Sequence, residues 1–154
     1  MNDKTISQEY ANDLIFELEK AFWDERGKGA RFRVTTVGRE FFRAECLPRL
    51  QSTEIDDMIR TIEGALQEKG IVSRLSAEND GRLLRVRVEG CVHRAVEDRM
   101  VAHETKPFTC VPANLIVLAI EEKLDRPAEL AEIKLEDGAC HVLIVLFDKR
   151  PFLE

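Results

Sequence analysis

Cysteine and histidine are the side chains here best suited to metal binding or nucleophilic chemistry, and six lie in the second half of the chain: Cys91, His93, His103, Cys110, Cys140 and His141. Cys91 and His93 stand two residues apart in a segment with strand-like composition, so both side chains are predicted on the same face. A thiolate and an imidazole placed in this way suit one metal ion, and the other four side chains could complete its ligand set. Their spacing matches no standard zinc motif.

Two other interpretations of these residues stay open. Free cysteine is among the most buried residue types, so Cys110 and Cys140 can equally be small core side chains. A cysteine nucleophile needs a histidine base and a group that orients it, and Asp98 or Glu104 could orient His103, although such charged stretches are usually solvated. The chain has no glycine-rich phosphate loop, no GxSxG and no HExxH motif. We therefore assign no catalytic residue.

Composition disfavours membrane, secreted and nucleic-acid-binding proteins. The 154 residues are 44% hydrophobic and 34% charged, and no apolar run is long enough to span a membrane. The polar amino terminus lacks a signal-peptide core, which predicts a cytoplasmic protein with reduced cysteines. The net charge of −6 opposes binding to a polyanion. Arginines interleaved with phenylalanines over residues 26–49 are the exception, but glutamates dilute them.

Three helices are predicted from apolar residues at helical spacing. The first covers about residues 6–25. The second begins at Ser52 or Thr53, with acidic residues in its first turn, and ends before Gly70. The third runs over about residues 112–124, with a proline in its first turn. A polar stretch between the last strand of the second hairpin and the third helix is predicted as a loop.

Three β-hairpins are predicted from alternating or continuous apolar segments that meet at turn residues. They cover residues 31–46 with a turn at 37–39, residues 71–92 with a turn at 79–81, and residues 129–147 with a turn at 136–138. The last strand, over residues 139–147, is apolar on both faces and is therefore predicted at the centre of the sheet. The expected fold is a single α+β domain over residues 1–154, with three helices on a largely antiparallel sheet.

The carboxy-terminal half resembles the 4-vinyl-reductase domain, a family of small-molecule-binding proteins often described as hydrocarbon-binding. The similar segment runs from Leu84 to Phe147, which is less than half of the chain. It rests on residues 86–91, on residues 106–110 opening an apolar helix, and on residues 132–140 leading into the last strand. The resemblance implies an α+β fold that encloses a pocket for a small organic molecule.

Some sensor members of that family hold zinc, and the resemblance implies candidate ligands in this chain. Carried over one residue at a time, these are Cys110, Glu132 and Cys140, whereas Leu135 occupies the place of the family's other hairpin cysteine. The implied site is thus incomplete. Cys91 and His93 are further candidates.

The leading hypothesis is a small-molecule-binding or sensory module with a mostly apolar pocket and zinc as a candidate cofactor. Val117, Leu118, Leu143 and Val145 are predicted to line the pocket, and Arg85 or Arg87 to meet a polar end of the ligand. One alternative is a protein-interaction or homodimerisation module that uses the first helix or an apolar sheet face. The other is a cysteine-dependent enzyme.

Overall fold

A computed structural model describes residues 5–148 of the chain, and over this range the fold is α+β, as predicted. The helices are α1 Gln8–Arg26, the three-residue α2 Arg39–Phe41, α3 Ile55–Glu68, α4 Arg94–Ala102 and α5 Val111–Leu124. The strands are β1 Arg74–Asn79, β2 Leu83–Glu89, β3 Ala128–Glu136 and β4 Ala139–Leu146. Short 3-10 and π turns fill residues 27–32 and 42–49 around α2.

The four strands form one antiparallel sheet in the order β1-β2-β4-β3. The apolar strand β4 is central, which confirms the prediction. Along β2 and β4, Val86, Val88, Cys140 and Val142 turn one way and are buried, while the residues between them are more exposed. The sheet therefore has an inner face under the helices and an outer face open to solvent.

The inner face packs under α3 and α5, and this contact forms the main hydrophobic core. Ile62 and Leu66 of α3 and Ile116 and Ile120 of α5 are fully buried there. Their spacing of four residues places each pair on one side of its helix. The predicted end of α3 is confirmed, because Gly70 follows the helix with a φ of +71°.

A second, smaller core joins α1 to α4, and its buried residues are Phe16, Ala30, Val96, Met100 and Phe108. Asn12 of α1, itself buried, donates a hydrogen bond from Nδ2 to the carbonyl oxygen of Val92 at 3.0 Å. Arg99 of α4 pairs with Asp13 at 2.6 Å and stacks 4.1 Å from the Phe16 ring. These contacts fix α1 against the turn that leads into α4.

Two predictions about local structure are wrong. Residues 31–46, expected as a hairpin, form helical turns, because Phe42 and Cys46 are four residues apart and both enter the core. The segment after β2, expected as a loop, contains helix α4, whose Val96 and Met100 show the same spacing. The described sheet therefore has two hairpins instead of three.

Among the described residues, we find no helix long and apolar enough to cross a membrane.

Candidate functional site

A cavity of about 200 Å³ lies between α1, α4, the first turn of α5 and the segment around Val34 to Val37. Apolar side chains from all four regions form most of its wall: Ile15, Val34, Val37, Val96, Val111 and Pro112. Its polar lining is smaller and consists of Glu19, Cys91, His93, Glu97, Thr109 and Cys110. A mostly apolar hollow with a few polar groups is the usual form of a small-molecule site.

The turn between β2 and α4 places Cys91 and His93 at this cavity. Gly90 begins the turn with a φ of +64°, in the left-handed region that a side chain disfavours. The backbone passes so close to Ser73 that a β-carbon at Gly90 would overlap the Ser73 hydroxyl. The Val92 amide then donates to the Ile71 carbonyl at 2.9 Å, which fixes the direction of the chain.

Asn114, in the first turns of α5, holds the opposite wall. Its buried Nδ2 donates to the carbonyl oxygens of Val34 at 3.2 Å and Val37 at 3.0 Å. The same nitrogen lies 3.2 Å from Thr109 Oγ1. A segment with no regular helix or strand of its own is thereby tied to a rigid helix, and the cavity keeps its shape.

Two carboxyl groups reach the cavity from different helices. Glu97 of α4 is only 6% exposed, and Cys140 Sγ donates a hydrogen bond to its Oε2 at 3.0 Å. Burial raises the pKa of Glu97. Burial, and secondarily the charge of Glu97, raise the pKa of Glu19 of α1 to about 7. Near neutral pH, the pair therefore carries less negative charge than two exposed glutamates would.

The thiols near the cavity are held in their protonated form. Burial raises the pKa of Cys91 to about 11 and raises the pKa of Cys110 and Cys140 further. Burial also lowers the pKa of His93, which favours the neutral imidazole. An activated cysteine nucleophile needs the opposite shift, toward a thiolate. This environment argues against the cysteine-enzyme alternative.

His93 presents an unused hydrogen-bonding atom. Its ring Nδ1 is buried and, within residues 5–148, has no hydrogen-bond partner. Its backbone amide lies 3.4 Å from Cys91 Sγ and donates to that sulfur. Because buried polar atoms are usually paired, this nitrogen is one of three exceptions among the described side chains.

The raised pKa of Glu19 predicts a pH-dependent stability. The folded protein binds a proton on Glu19 that the unfolded chain, with a pKa near 4.5, releases. The free energy of unfolding should therefore fall as pH rises from 4.5 toward 7, by at most about 1.4 kcal/mol per pH unit for this one group. Urea unfolding of Glu19→Gln across this range should show a flatter pH profile than the unsubstituted protein. Glu17→Gln, on the exposed side of α1, should keep the original profile, and equal slopes in all three proteins would contradict the assignment.

The predicted metal ligands are only partly brought together. Cys91, His93 and Cys110 all line the cavity. Cys140 does not line it, but its thiol donates a hydrogen bond to Glu97, which does. Glu132 does not join them, because it pairs with Leu143 on the outer face of the sheet, whereas Cys140 is on the inner face. Cys91 and His93 lie in the turn after β2 and not, as predicted, on a strand.

Across residues 5–148, no group of three or more histidine, cysteine, aspartate or glutamate side chains is arranged to hold a metal ion. All four cysteines are free thiols. The zinc ion that the sequence suggested stays a prediction.

The six predicted ligand-binding residues do not form one pocket. Arg85, Arg87, Leu143 and Val145 lie on the outer face of the sheet, since each alternates with a buried neighbour on its strand. Val117 and Leu118 belong to α5, on the other side of the sheet. Arg85, Arg87 and Leu143 line a broad, open groove of about 710 Å³ that also contains His141 and charged residues of β3. The predicted pocket thus combined residues from opposite sides of the sheet.

Sequence reasoning missed both carboxyl groups of the cavity. Glu19 follows Ile15 by four residues and precedes Phe22 by three, so it interrupts the apolar stripe of α1. An acidic residue within an apolar helical stripe indicates a partly buried carboxyl group, so Glu19 could have been predicted from the sequence. Glu97 could be found only after α4 was recognised as a helix, because it stands within a segment whose composition is typical of a polar loop.

No protein-family model and no curated protein matches this chain. Among solved structures, a similar chain belongs to the H-NOX family and comes from a study of heme distortion in that family. The two chains share 15% identity and superpose with a TM-score of 0.47, and the similarity covers 98% of this chain and 77% of the other. At this identity and TM-score, the likeness carries no argument about what this chain binds.

Proposed function

We propose that this protein is a small-molecule-binding module whose ligand occupies the cavity between α1, α4 and α5. The observation that carries the proposal is the cavity itself, with apolar walls from four segments and polar groups at a few points. Apolar walls provide affinity by removing ligand surface from water, and a few directed polar groups provide orientation.

The size of the cavity limits the ligand to a small one. Drug-sized pockets are roughly 300–1,000 Å³, so a cavity of about 200 Å³ is smaller than these. A dry protein cavity of about 150 Å³ is large enough for benzene. The space therefore suits a molecule with a single ring or a short branched chain.

The elements around the cavity also suit a sensory role. Helix α1 contributes Ile15 and Glu19 to the cavity wall, while Leu14 and Leu18 of the same helix are exposed. A ligand that contacts one side of α1 can change how its other side meets a partner. Membership of the 4-vinyl-reductase family is compatible with this role and stays a proposal. Zinc is not part of the proposed function. Metal analysis of protein purified without chelators tests directly whether zinc is bound.

Filling the cavity tests the proposal. Ile15→Trp places a large ring inside the cavity, and Leu18→Trp places the same ring on the exposed side of α1 as a matched control. With benzyl alcohol as the probe in ligand-observed NMR, we expect Ile15→Trp to weaken binding at least about tenfold, which corresponds to about 1.4 kcal/mol. Leu18→Trp should leave binding unchanged.

A thermal melt of each variant checks that it folds. If Ile15→Trp fails this check, Val111→Phe fills the same space from α5. Equal binding of benzyl alcohol to a folded cavity-filled variant and to the control would overturn the proposal, as would no binding to the unsubstituted protein at any concentration reached.

A second candidate function is protein interaction through the exposed side of α1. Three large apolar residues of α1, Tyr10, Leu14 and Leu18, follow one another at intervals of four and are 58%, 46% and 63% exposed. Ile6, which precedes the helix, is 70% exposed. Such a contiguous stripe is uncommon on the surface of a monomer. If it joins two copies of this chain, light scattering should give the mass of a dimer, and Leu14→Asp should return a folded monomer. A monomeric unsubstituted protein would exclude that use of the stripe.

A further inference from the structure

The cavity has an unusual charge balance. Two of its lining residues, Glu19 and Glu97, are acidic, and none of its lining residues is a lysine or an arginine. An acid inside an apolar wall loses its hydration, and proteins ordinarily compensate the loss with a paired cation. Within the described part of the chain, this compensation is absent from the cavity lining.

Two arginines of α4 are paired with aspartates. Arg94 pairs through Nε with Asp98 at 3.4 Å. Its charge also acts on Glu97 and lowers the pKa of that carboxyl, against the larger effect of burial. Arg99 pairs with Asp13 at 2.6 Å and stacks on Phe16. Neither arginine lines the cavity, so among the described residues no lysine or arginine contributes to the wall that holds the two carboxyl groups.

Glu97 also keeps accepting capacity. It is more than nine-tenths buried and lines the cavity, and the hydrogen bond that the structure gives its side chain is from the Cys140 thiol to Oε2. A thiol is a weak donor, and a carboxylate accepts several hydrogen bonds. Oε1 is therefore available to a stronger donor that enters the cavity.

We propose that the ligand is an organic cation, a protonated amine on a small apolar body, whose ammonium group lies between Glu19 and Glu97. The apolar body would pack among Ile15, Val34 and Val96. The inference rests on the proposed function, since it names the class of molecule that the same cavity binds. An ammonium group provides three donors, enough to serve both carboxylates.

The chemistry of the surrounding groups favours an amine over a metal ion. Burial raises the pKa of Cys91, Cys110 and Cys140, so these thiols stay uncharged beside a bound amine. Within residues 5–148, no set of three ligands is arranged for an ion. An ammonium group needs only acceptors at hydrogen-bonding distance and tolerates neutral thiols beside it.

Binding of a cation should depend on pH because it requires ionised carboxylates. The pKa of Glu19 is about 7 without ligand, so the affinity should rise as pH increases through 7 and then level off. Other titratable or charged groups act on Glu97 or line the cavity: Arg94 and Asp98 of α4, Cys91 and His93 of the preceding turn, Cys110 at α5 and Cys140 of β4. The pKa shifts of His93 and of these thiols keep them uncharged near neutral pH, so the two glutamates should dominate the profile.

Benzylamine and benzyl alcohol provide a matched pair of probes, because they share a ring and differ in the charged group. Their Kd values can be measured by calorimetry at pH 6 and pH 8 with the unsubstituted protein and with Glu19→Gln, Glu97→Gln and Glu17→Gln. We expect benzylamine to bind about tenfold more tightly than benzyl alcohol at pH 8, and each cavity variant to remove about that factor. Benzyl alcohol binding should be the same in all proteins, and Glu17→Gln, exposed on α1, should change neither Kd.

The outcomes separate the two proposals. Benzyl alcohol that binds in the cavity as tightly as benzylamine, at both pH values, would overturn the amine proposal and leave the binding function intact. Benzylamine whose affinity survives both glutamine variants would also overturn it. If Ile15→Trp leaves both ligands bound, the cavity is not their site and both proposals fail.

Discussion

Gly90→Ala should destabilise the protein by about 2–5 kcal/mol, one of the largest effects expected of a single methyl group in this chain. The backbone at Gly90 has a φ of +64°, and a side chain in that region costs about 1–2 kcal/mol. The new β-carbon would also overlap the Ser73 hydroxyl and lie 2.8 Å from Ser73 Cβ. Crowding of this kind adds about 1–3 kcal/mol.

Gly70→Ala is the matched control for this substitution. Gly70 has a similar φ of +71°, but a β-carbon there would meet no atom within 4 Å. Urea unfolding should show a loss of only about 1–2 kcal/mol for this control, from the backbone conformation alone. If both variants lose the same stability, the close approach between Gly90 and Ser73 does not exist.

Ile144→Ala should cost about 2–5 kcal/mol, because Ile144 is completely buried on the inner face of the central strand β4. Its neighbour Val145 points to the outer face and is half-buried, so Val145→Ala should cost less than about 1 kcal/mol. Chemical denaturation of the two variants compares adjacent positions that differ mainly in the face they occupy. A larger loss for Val145→Ala would mean that the register of β4 is shifted by one residue.

The sequence predicts the strands and helices well where burial follows one clear period. The hairpin at residues 79–81 and the central strand over 139–147 follow from alternation and turn chemistry, and the end of α3 follows from Gly70. The prediction of a hairpin over residues 31–46 was wrong because phenylalanine and valine between arginines fit strand and helix patterns equally. Tertiary contacts from Asn114 and the packing of Phe42 decide between the two.

The site was less predictable than the fold because it depends on residues that are distant in the sequence. Cys91, His93 and Cys110 were candidates from their chemistry alone, and the fold does bring them to one cavity. Glu132, a candidate metal ligand, and Val145, a predicted pocket residue, lie on the outer face of the sheet. Alternation on a strand gives two sets of residues without saying which one meets the helices. The pairing of Glu19 with Glu97 depends on how α1 packs on α4, which no local pattern contains.

Methyl-resolved NMR during a titration with benzyl alcohol tests most directly whether the ligand occupies the cavity on the helical side. We expect the largest shifts at methyl groups of Val34, Val96 and Val111, which surround the cavity. Leu143 and Val145, on the outer face of the sheet, should not move. Shifts confined to Leu143 and Val145 would contradict binding in the cavity. The absence of any methyl shift in a solution saturated with benzyl alcohol would contradict it equally.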